Sequence, residues 1–330
     1  MKKLYIPLIL LGLLVVGFLL GPKSPTPKLE VEIPMVPTNL LSLENFVNEQ
    51  EASTANIRSD NEARIVWMDS LKYRKAPCSI VYLHGFSASQ GEADPLHREL
   101  AEHCGCHLYL SRLPDHGLEL GEESMLNVTP EKMLKGAAEA LAIGEKLGEK
   151  VYIMSCSTGS TLGITLAAQH PESVDGLLCY SPNIAVHDTR AKHMTGPWGL
   201  QLLRLMFGGK HRTYETPEGG AQYATNRYRL EALLAMQSLV NHSMTPTTWE
   251  KITQPIFMGY WYKSDDECDK TVSIPAMKEA YEHFSTPENQ KSIQAFPNVG
   301  AHIMASPHWS KDMESVRRET LAFGDRFICP

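Results

Sequence analysis

The sequence predicts an α/β fold in which a mostly parallel central sheet carries helices on both faces. Strand-like and helix-like segments alternate from about residue 63 to the end of the chain, which is typical of parallel sheets. One region, residues 184–251, breaks this alternation with several helix-like pieces and no clear strand. It leaves and re-enters at strand carboxyl ends, where open α/β sheets bind ligands, and this predicts a helical cap insertion.

The elements of the predicted core follow in chain order. The predicted strands are the apolar β-type runs "ARIVWMD", "CSIVYLHG", "HLYLSRL", "KVYIMS", "GLLCYSP", "PIFMGYWY" and "KSIQAFPN". The predicted helices are "DPLHRELAEHC", "TPEKMLKGAAEALAIGEKLG", "STLGITLAAQH", "SIPAMKEAYEHF" and "DMESVRRETLAFGDRFI". We therefore expect one core in two parts, residues 63–183 and 252–330, interrupted by the cap.

The N-terminus reads as a targeting segment followed by a linker. Two lysines precede an uncharged apolar run from Leu4 to Leu20, which has about the length needed to span a bilayer and no A-x-A-like cleavage site after it. Residues 1–22 are predicted to be an uncleaved membrane anchor that places the catalytic domain outside the cytoplasm. The alternative is a secreted protein released by signal cleavage. Residues 23–62 begin rich in proline and are predicted to be an extended tether.

Composition excludes several classes of function. The net charge of −7 is spread without a basic block, so nucleic acid is not an expected partner. The seven cysteines show no paired spacing, and no disulfide framework is predicted. The cluster "HCGCH" at 103–107 would point its ligands to opposite faces of a strand, so no metal site is predicted. No nucleotide-binding motif or H-E-x-x-H is present, and no cofactor is expected.

The stretch "VYIMSCSTGSTLG" at 151–163 reads as a strand, a sharp turn and a helix. A nucleophile at such a turn needs very small residues two positions before and after it. Ser157 meets this with Ser155 and Gly159, a single departure from G-x-S-x-G. Cys156 is a rival nucleophile, but a turn centred on it would place Met154 and Thr158 at the tight positions. Ser157 is therefore the predicted nucleophile.

A second motif, "HGF" at 84–86, ends an apolar strand. Acyl transfer places negative charge on the former carbonyl oxygen, and two fixed backbone N–H groups stabilise that charge. The predicted donors are the amides of Phe86 and Thr158. His84 is expected to brace the loop rather than to transfer protons.

These motifs resemble the α/β-hydrolases, in particular the carboxylesterase and monoacylglycerol-lipase-like branch. The resemblance covers about residues 63 to 328 and rests on "HGF", "LPDHG" at 113–117, "SCSTG", "DKTVS" at 269–273 and "GAHIMAS" at 300–306, in the family's order. It implies a triad in which Ser157 attacks the ester carbonyl, His302 takes and returns the proton, and a carboxylate orients the imidazole.

The histidine can also be chosen by position, whereas the acid is less certain. The base must lie on a turn after the last strand, and His302 follows "KSIQAFPNVGA" directly, while His308 is further on and His283 falls in a helix. Four carboxylates follow the preceding strand: Asp265, Asp266, Glu267 and Asp269. Asp269 fits best because the D-x-x-V pattern of the resembled family follows it, with Asp266 as the main alternative.

The sequence thus predicts a serine hydrolase that cleaves a small-molecule or lipid-like carboxylic ester. One alternative is an inactive hydrolase fold used as a binding module. It is favoured by Ser155, which replaces the first glycine of G-x-S-x-G, and by the uncertain choice of the acid. Another is a triad enzyme acting on a peptide, thioester or carbon–carbon bond, because this fold hosts all of these chemistries.

Overall fold

A computed structural model describes residues 2–329 of the chain, with side chains from residue 10 onward. The helices and strands, in chain order, are α1 Lys2–Leu19, α2 Leu40–Ser53, β1 Arg64–Val66, β2 Ala76–Leu83, α3 Leu96–Cys104, β3 His107–Leu110, α4 Pro130–Leu147, β4 Gly148–Cys156, α5 Thr158–Gln169, β5 Gly176–Tyr180, α6 Gly199–Met206, β6 His211–Thr213, β7 Arg227–Arg229, α7 Leu230–Ser243, α8 Pro246–Trp249, β8 Ile256–Trp261, α9 Ile274–His283, β9 Lys291–Phe296 and α10 Met313–Phe327.

Seven strands form the central sheet, in the order β1-β3-β2-β4-β5-β8-β9. Every neighbouring pair is parallel except β1 with β3, which is antiparallel. The predicted fold class, a mostly parallel sheet covered by helices, is therefore confirmed. Because the six parallel strands β2, β3, β4, β5, β8 and β9 have their carboxyl ends at the same edge, residues that follow them meet there.

The sheet separates two apolar cores, as the alternation of side chains along a buried strand requires. In β2, Val81 and Leu83 face one core, which includes α4, α5 and α7, and Ile80 and Tyr82 face the other, which includes α3 and α10. All four side chains are fully buried. The strand is apolar on both faces, which accounts for the continuous apolar run in its sequence.

The insertion between β5 and β8 contains more than helices. Besides α6, α7 and α8 it carries a small antiparallel two-stranded sheet, β6 with β7, which the sequence analysis did not anticipate. Each of these strands has only three residues, too few to display an alternating pattern in the sequence.

A buried helix lies within the predicted tether. Helix α2 begins after Asn39, whose side chain caps it by accepting from the Ser42 N–H at 3.0 Å. It packs Leu43 into the core, fully buried. Glu51 of the same helix accepts two hydrogen bonds from the guanidinium of Arg112, at 2.7 and 2.8 Å. The proline-rich part ends before Asn39, so its composition does not describe the residues that follow.

The prediction of a membrane-spanning anchor is wrong. Among residues 2–329, no helix has the length and apolar character needed to cross a membrane. Helix α1 has 18 residues, two of which are lysines, so at ~1.5 Å per residue its uncharged part falls short of a hydrocarbon core of about 30 Å. Its end contacts the insertion, since Trp198 donates from its indole to the Phe18 carbonyl at 3.0 Å. The predicted localisation, which depended on the anchor, is overturned with it.

Two disulfides connect four of the seven cysteines, although no disulfide framework was predicted from their spacing. Cys78 of β2 pairs with Cys106, and Cys104 at the end of α3 pairs with Cys329. Both cysteines of "HCGCH" are therefore in disulfides, so neither sulfur is a free thiol that could bind a metal. The sequence separations of 28 and 225 residues are too irregular to read as a paired framework.

The long-range bridge should contribute substantially to stability. In the chain-entropy description, closing a loop of 225 residues lowers the entropy of the unfolded state, which stabilises the fold by about 5.4 kcal/mol at 25 °C. We expect the double variant Cys104→Ser/Cys329→Ser to lose about that free energy of unfolding in urea titrations under non-reducing conditions. Thiol titration of the denatured, unreduced wild type should find three thiols, those of Cys156, Cys179 and Cys268. Seven thiols, or equal unfolding midpoints, would contradict the assignment.

Candidate active site

Ser157 lies at the sharp turn between β4 and α5, at the carboxyl edge of the sheet. Its backbone has φ 51° and ψ −116°, a conformation that is strained for a residue with a side chain. Two hydrogen bonds hold it there: its N–H donates to Tyr180 O at 2.9 Å, and its carbonyl accepts from Asn183 N at 3.1 Å. The predicted strand–turn–helix geometry is thus present around this serine.

The two small residues around Ser157 have different reasons to be small. A β-carbon at Gly159 would overlap the carbonyl oxygen of Leu83, because the first turn of α5 lies directly against the end of β2. Ser155 lies in β4, fully buried, and its hydroxyl donates to Leu178 O at 3.2 Å and lies 3.0 Å from the Ser160 hydroxyl, from which it can accept. The position that departs from glycine therefore accommodates a serine whose hydroxyl is satisfied.

The loop after β2 is braced by two buried histidines. His84 Nε2 accepts from the Leu113 N–H at 2.9 Å, so the proton is on Nδ1, which donates to Gly85 O at 2.9 Å. Burial, together with the neighbouring His116, lowers the pKa of His84 to about 3, so His84 is neutral. The His116 ring packs against the rings of His84 and Phe86, at centroid distances of 5.1 and 5.6 Å. These contacts join the "HGF" and "LPDHG" motifs into one unit.

The two predicted oxyanion donors lie beside the turn at residues 155–159, which is called the elbow below. Thr158 is the first residue of α5, where no carbonyl lies four residues earlier within the helix to accept its N–H. Phe86 follows Gly85, and a β-carbon at Gly85 would lie 3.4 Å from Ser157 Cβ. Within the described part of the chain, neither amide donates to another protein group. Neither amide therefore has a protein acceptor among the described residues.

Of the four carboxylates after β8, the structure places Asp269 beside His302. Asp269 Oδ2 lies 2.6 Å from His302 Nδ1, and its other oxygen accepts from the amides of Thr271 and Val272, at 2.8 and 3.4 Å. Burial would raise the pKa of Asp269, but the charge and hydrogen bond of His302 and the two amides outweigh it, so the pKa is lowered. Asp269 is therefore an ionised, fixed acceptor for the imidazole.

The other acids of this loop point elsewhere. Asp265 accepts from the Tyr262 hydroxyl at 2.9 Å, Asp266 is exposed, and Glu267 pairs with Lys263 at 2.6 Å. The loop folds back on itself, because Asp269 N donates to the carbonyl of Trp261, the last residue of β8, at 3.1 Å. Residues 262–268 therefore form a short loop that returns Asp269 to the end of β8.

His302 is linked to the elbow through the end of β5. The Ser181 hydroxyl donates to His302 O at 2.7 Å, and the preceding residue, Tyr180, accepts the Ser157 N–H. The rival histidines lie elsewhere: His283 in α9 faces Glu250 at 3.6 Å, and His308 stacks near Tyr223. The structure thus brings Ser157, Asp269 and His302 to one edge of the sheet.

The insertion contacts the loop that carries Phe86. Ala88 and Ala224 form an isolated antiparallel bridge, and Thr225 N donates to Ser87 O at 2.6 Å. The Ser87 hydroxyl also lies 2.8 Å from the Tyr214 hydroxyl. The insertion therefore packs directly on the proposed oxyanion loop.

Sequence reasoning missed one acidic residue at this edge. Glu92 lies in a short 3-10 helix, Gln90–Ala93, and is 1% exposed. It accepts hydrogen bonds from the Gly85 N–H and from the Tyr82 hydroxyl. No local motif marks it, because it is a single acid in a loop and its burial depends on contacts with a strand ten residues earlier.

Comparison with known proteins supports the fold and little more. No protein-family model matches the sequence, and no curated protein matches it significantly. Solved structures do match. A metagenome-derived lipolytic enzyme of the LipS and LipT study superposes with a TM-score of 0.63 at 15% identity, covering 82% of this chain and 100% of its own.

Two monoacylglycerol lipases are similar in the same way. The enzyme from Paleococcus ferrophilus gives a TM-score of 0.57 at 15% identity, covering 80% of this chain and 99% of its own. A soluble variant of monoglyceride lipase from Saccharomyces cerevisiae, bound to a substrate analog, gives 0.58 at 9% identity, with coverages of 81% and 91%. The chain therefore has the α/β-hydrolase fold, as the resemblance of its motifs implied.

The close approach at Gly159 can be tested directly. We expect Gly159→Ala to lower the free energy of unfolding by about 3 kcal/mol, because the new methyl group would push α5 away from β2. Gly163→Ala, one turn later in the same helix, is the matched control. Its β-carbon would meet Ile153 Cγ2 at 3.1 Å, a side chain that can yield. Equal urea midpoints for the two variants would contradict this account of the elbow.

Proposed function

We propose that this protein is a serine hydrolase that cleaves carboxylic esters through Ser157, His302 and Asp269. The observation that carries the proposal is the strained Ser157 backbone, φ 51°, at the same sheet edge as the 2.6 Å contact between Asp269 and His302. A strained nucleophile beside an oriented imidazole is the arrangement that acyl transfer requires.

In the proposed mechanism, Ser157 Oγ attacks the ester carbonyl carbon as His302 Nε2 takes the hydroxyl proton. The charge that develops on the carbonyl oxygen is bound by the amides of Phe86 and Thr158. Collapse of the tetrahedral intermediate breaks the bond to the alcohol, which leaves with the proton from His302. Water then repeats the sequence on the acyl-enzyme and releases the acid and free Ser157. Asp269 holds the imidazole in the tautomer that presents Nε2 to the serine.

Two observations favour this proposal over an inactive binding module. The altered elbow residue, Ser155, fits β4 with its hydroxyl satisfied. Asp269 lies against His302, so an acid is available where the mechanism needs one.

The lipolytic and monoacylglycerol-lipase neighbours favour an ester or lipid-like substrate over a peptide, thioester or carbon–carbon bond. No cofactor is needed for these steps.

We further propose that residues 184–251 act as a cap that bounds the substrate site. Its contact with the Phe86 loop, through Ser87 and Tyr214, supports this role. A side chain of the cap would then shape the space next to the reacting carbonyl, which is how pocket specificity arises in such folds.

Replacement of the nucleophile is the first test of the function. We expect Ser157→Ala to reduce kcat for p-nitrophenyl esters by about a millionfold, since no other group in the mechanism forms the acyl-enzyme. It should also abolish labelling by a fluorophosphonate probe. Ser155→Ala, two residues away, is the control and should still be labelled. Labelling that persists in Ser157→Ala would overturn the assignment, and a wild type that neither reacts nor hydrolyses esters would favour the binding module.

Comparison of two neighbouring acids tests the triad. Asp269→Asn should lower kcat by about ten thousandfold, because the amide would favour the wrong tautomer of His302. Asp266→Asn, three residues earlier and exposed, should stay within about twofold of wild type. Steady-state kinetics with one short p-nitrophenyl ester distinguish them. An unchanged rate for Asp269→Asn, or a large loss for Asp266→Asn, would remove Asp269 from the mechanism.

A further inference from the structure

Glu92 is a buried carboxyl group that the proposed mechanism does not use. Its Oε1 accepts from the Tyr82 hydroxyl at 2.9 Å and from the Gly85 N–H. Burial raises the pKa of Glu92 to about 7, although both hydrogen bonds and His302 favour its charged form. No lysine or arginine in the described part of the chain pairs with it. Burial of an unpaired carboxyl group costs free energy, and this one lies beside the candidate site.

The second oxygen of Glu92 faces the elbow. Oε2 is buried and has no hydrogen-bond partner. A β-carbon at Gly85 would lie 3.0 Å from this oxygen and 3.4 Å from Ser157 Cβ. Glu92 Oε2 and Ser157 Cβ therefore lie within about 6.4 Å of each other, and a side chain at residue 85 would contact both.

Several titratable groups face Glu92 from the elements around it. They are Tyr82 from β2, Cys156 from the end of β4, His302 from the loop after β9 and Tyr214 from the insertion. Burial raises the pKa of Tyr82, Cys156 and Tyr214, and the charge of Glu92 raises it further. For His302, burial would lower the pKa, but the charge and hydrogen bond of Asp269 and the charge of Glu92 together raise it.

We propose that Glu92 is a positioning residue that fixes the oxyanion loop through Gly85 and acts on His302 through its charge. The inference rests on the proposed function, since it assigns Glu92 a role in that same site. Its first part follows from the hydrogen bond to the Gly85 amide. That bond holds the His84–Gly85 peptide, which directly precedes the Gly85–Phe86 peptide whose N–H is the proposed donor. The second part, the effect of the Glu92 charge on His302, follows from the position of the carboxyl next to Gly85 and Ser157.

The two parts predict different effects on the rate. The hydrogen bond acts at every pH, because a neutral carboxyl still accepts from an amide through its carbonyl oxygen. The charge acts only where Glu92 is ionised. Since only neutral His302 can take the serine proton, a raised pKa of His302 moves the acid limb of kcat/KM to higher pH. Removal of the charge should therefore move that limb to lower pH.

Glu92→Gln separates these effects because the amide keeps an acceptor oxygen and carries no charge. On the full chain, we would measure kcat/KM for a short p-nitrophenyl ester and the rate of fluorophosphonate labelling from about pH 5 to pH 9. We expect the acid limb of both profiles to shift to lower pH, with a plateau within about threefold of wild type. Glu139→Gln, which removes another partly buried carboxyl on α4 that also has a raised pKa, should leave the profile unchanged.

Two further variants keep the inference open to refutation if Glu92→Gln folds poorly. Tyr82→Phe removes a hydrogen bond that favours the charged carboxyl, so it should move the acid limb in the same direction by less. Glu92→Ala leaves the Gly85 N–H and Tyr82 hydroxyl without an acceptor, and kcat should fall by about tenfold to a hundredfold at all pH values, with KM within about twofold. Thermal unfolding of each variant reports whether it is folded.

The outcomes for the inference and for the function are distinct. If the wild type is labelled at Ser157 but Glu92→Gln and Tyr82→Phe both reproduce its pH profile, the inference is overturned and the proposed function stands. If Glu92→Ala keeps the full rate, the positioning of the loop is overturned in the same way. If the wild type is not labelled at any pH, the proposed function itself fails, and the inference fails with it.

Discussion

The first turn of α5 lies against the carbonyl groups of Leu83 and His84, and only a glycine at residue 159 permits this approach. The geometry of the candidate site depends on this contact. It brings the end of β2 next to the end of β4, so that the Phe86 amide and the Ser157 turn lie side by side. It also forces the chain into the strained conformation at Ser157, whose energy must be offset by the packing of the helix and sheet.

Buried polar groups maintain the loop that faces this turn. His84 and His116 are both held neutral by burial, which lowers the pKa of each to about 3 and about 4. Their rings pack together, and both nitrogens of His84 and Nδ1 of His116 bond to backbone groups, so these contacts brace the loop without adding charge. Glu92 differs, because it is an acid in the same apolar surroundings. The surroundings of this loop therefore combine neutral histidines with an acid, Glu92, whose charge changes near neutral pH.

Much of the fold could be predicted because its determinants are local. The run "VYIMSCSTG" contains strand, turn and helix signals within a few residues, and His302 directly follows a clear strand. The sequence limits the candidates for the triad acid to four carboxylates in one loop, but composition alone does not choose among them. What selects Asp269 is a backbone hydrogen bond to Trp261, formed only once the loop folds back.

Other features depend on contacts between distant parts of the chain, and no sequence pattern carries them. The proline-rich beginning of the N-terminal segment concealed helix α2, whose burial depends on Arg112 and the core. The apolar run before it has about the length of a membrane span, but the helix that contains it begins with two lysines and ends at Leu19. Cysteines that pair across 225 residues have no spacing that could reveal them.

The bridge between Cys104 and Cys329 encloses Ser157, Asp269 and His302 in one covalent ring. A protease that cuts once within this ring, for example in the insertion, opens the chain but does not separate the two pieces. The nicked molecule remains a single covalent species in which both halves of the sheet stay at high local concentration. A chain arranged in this way can lose the continuity of a surface loop and still reassemble its interior.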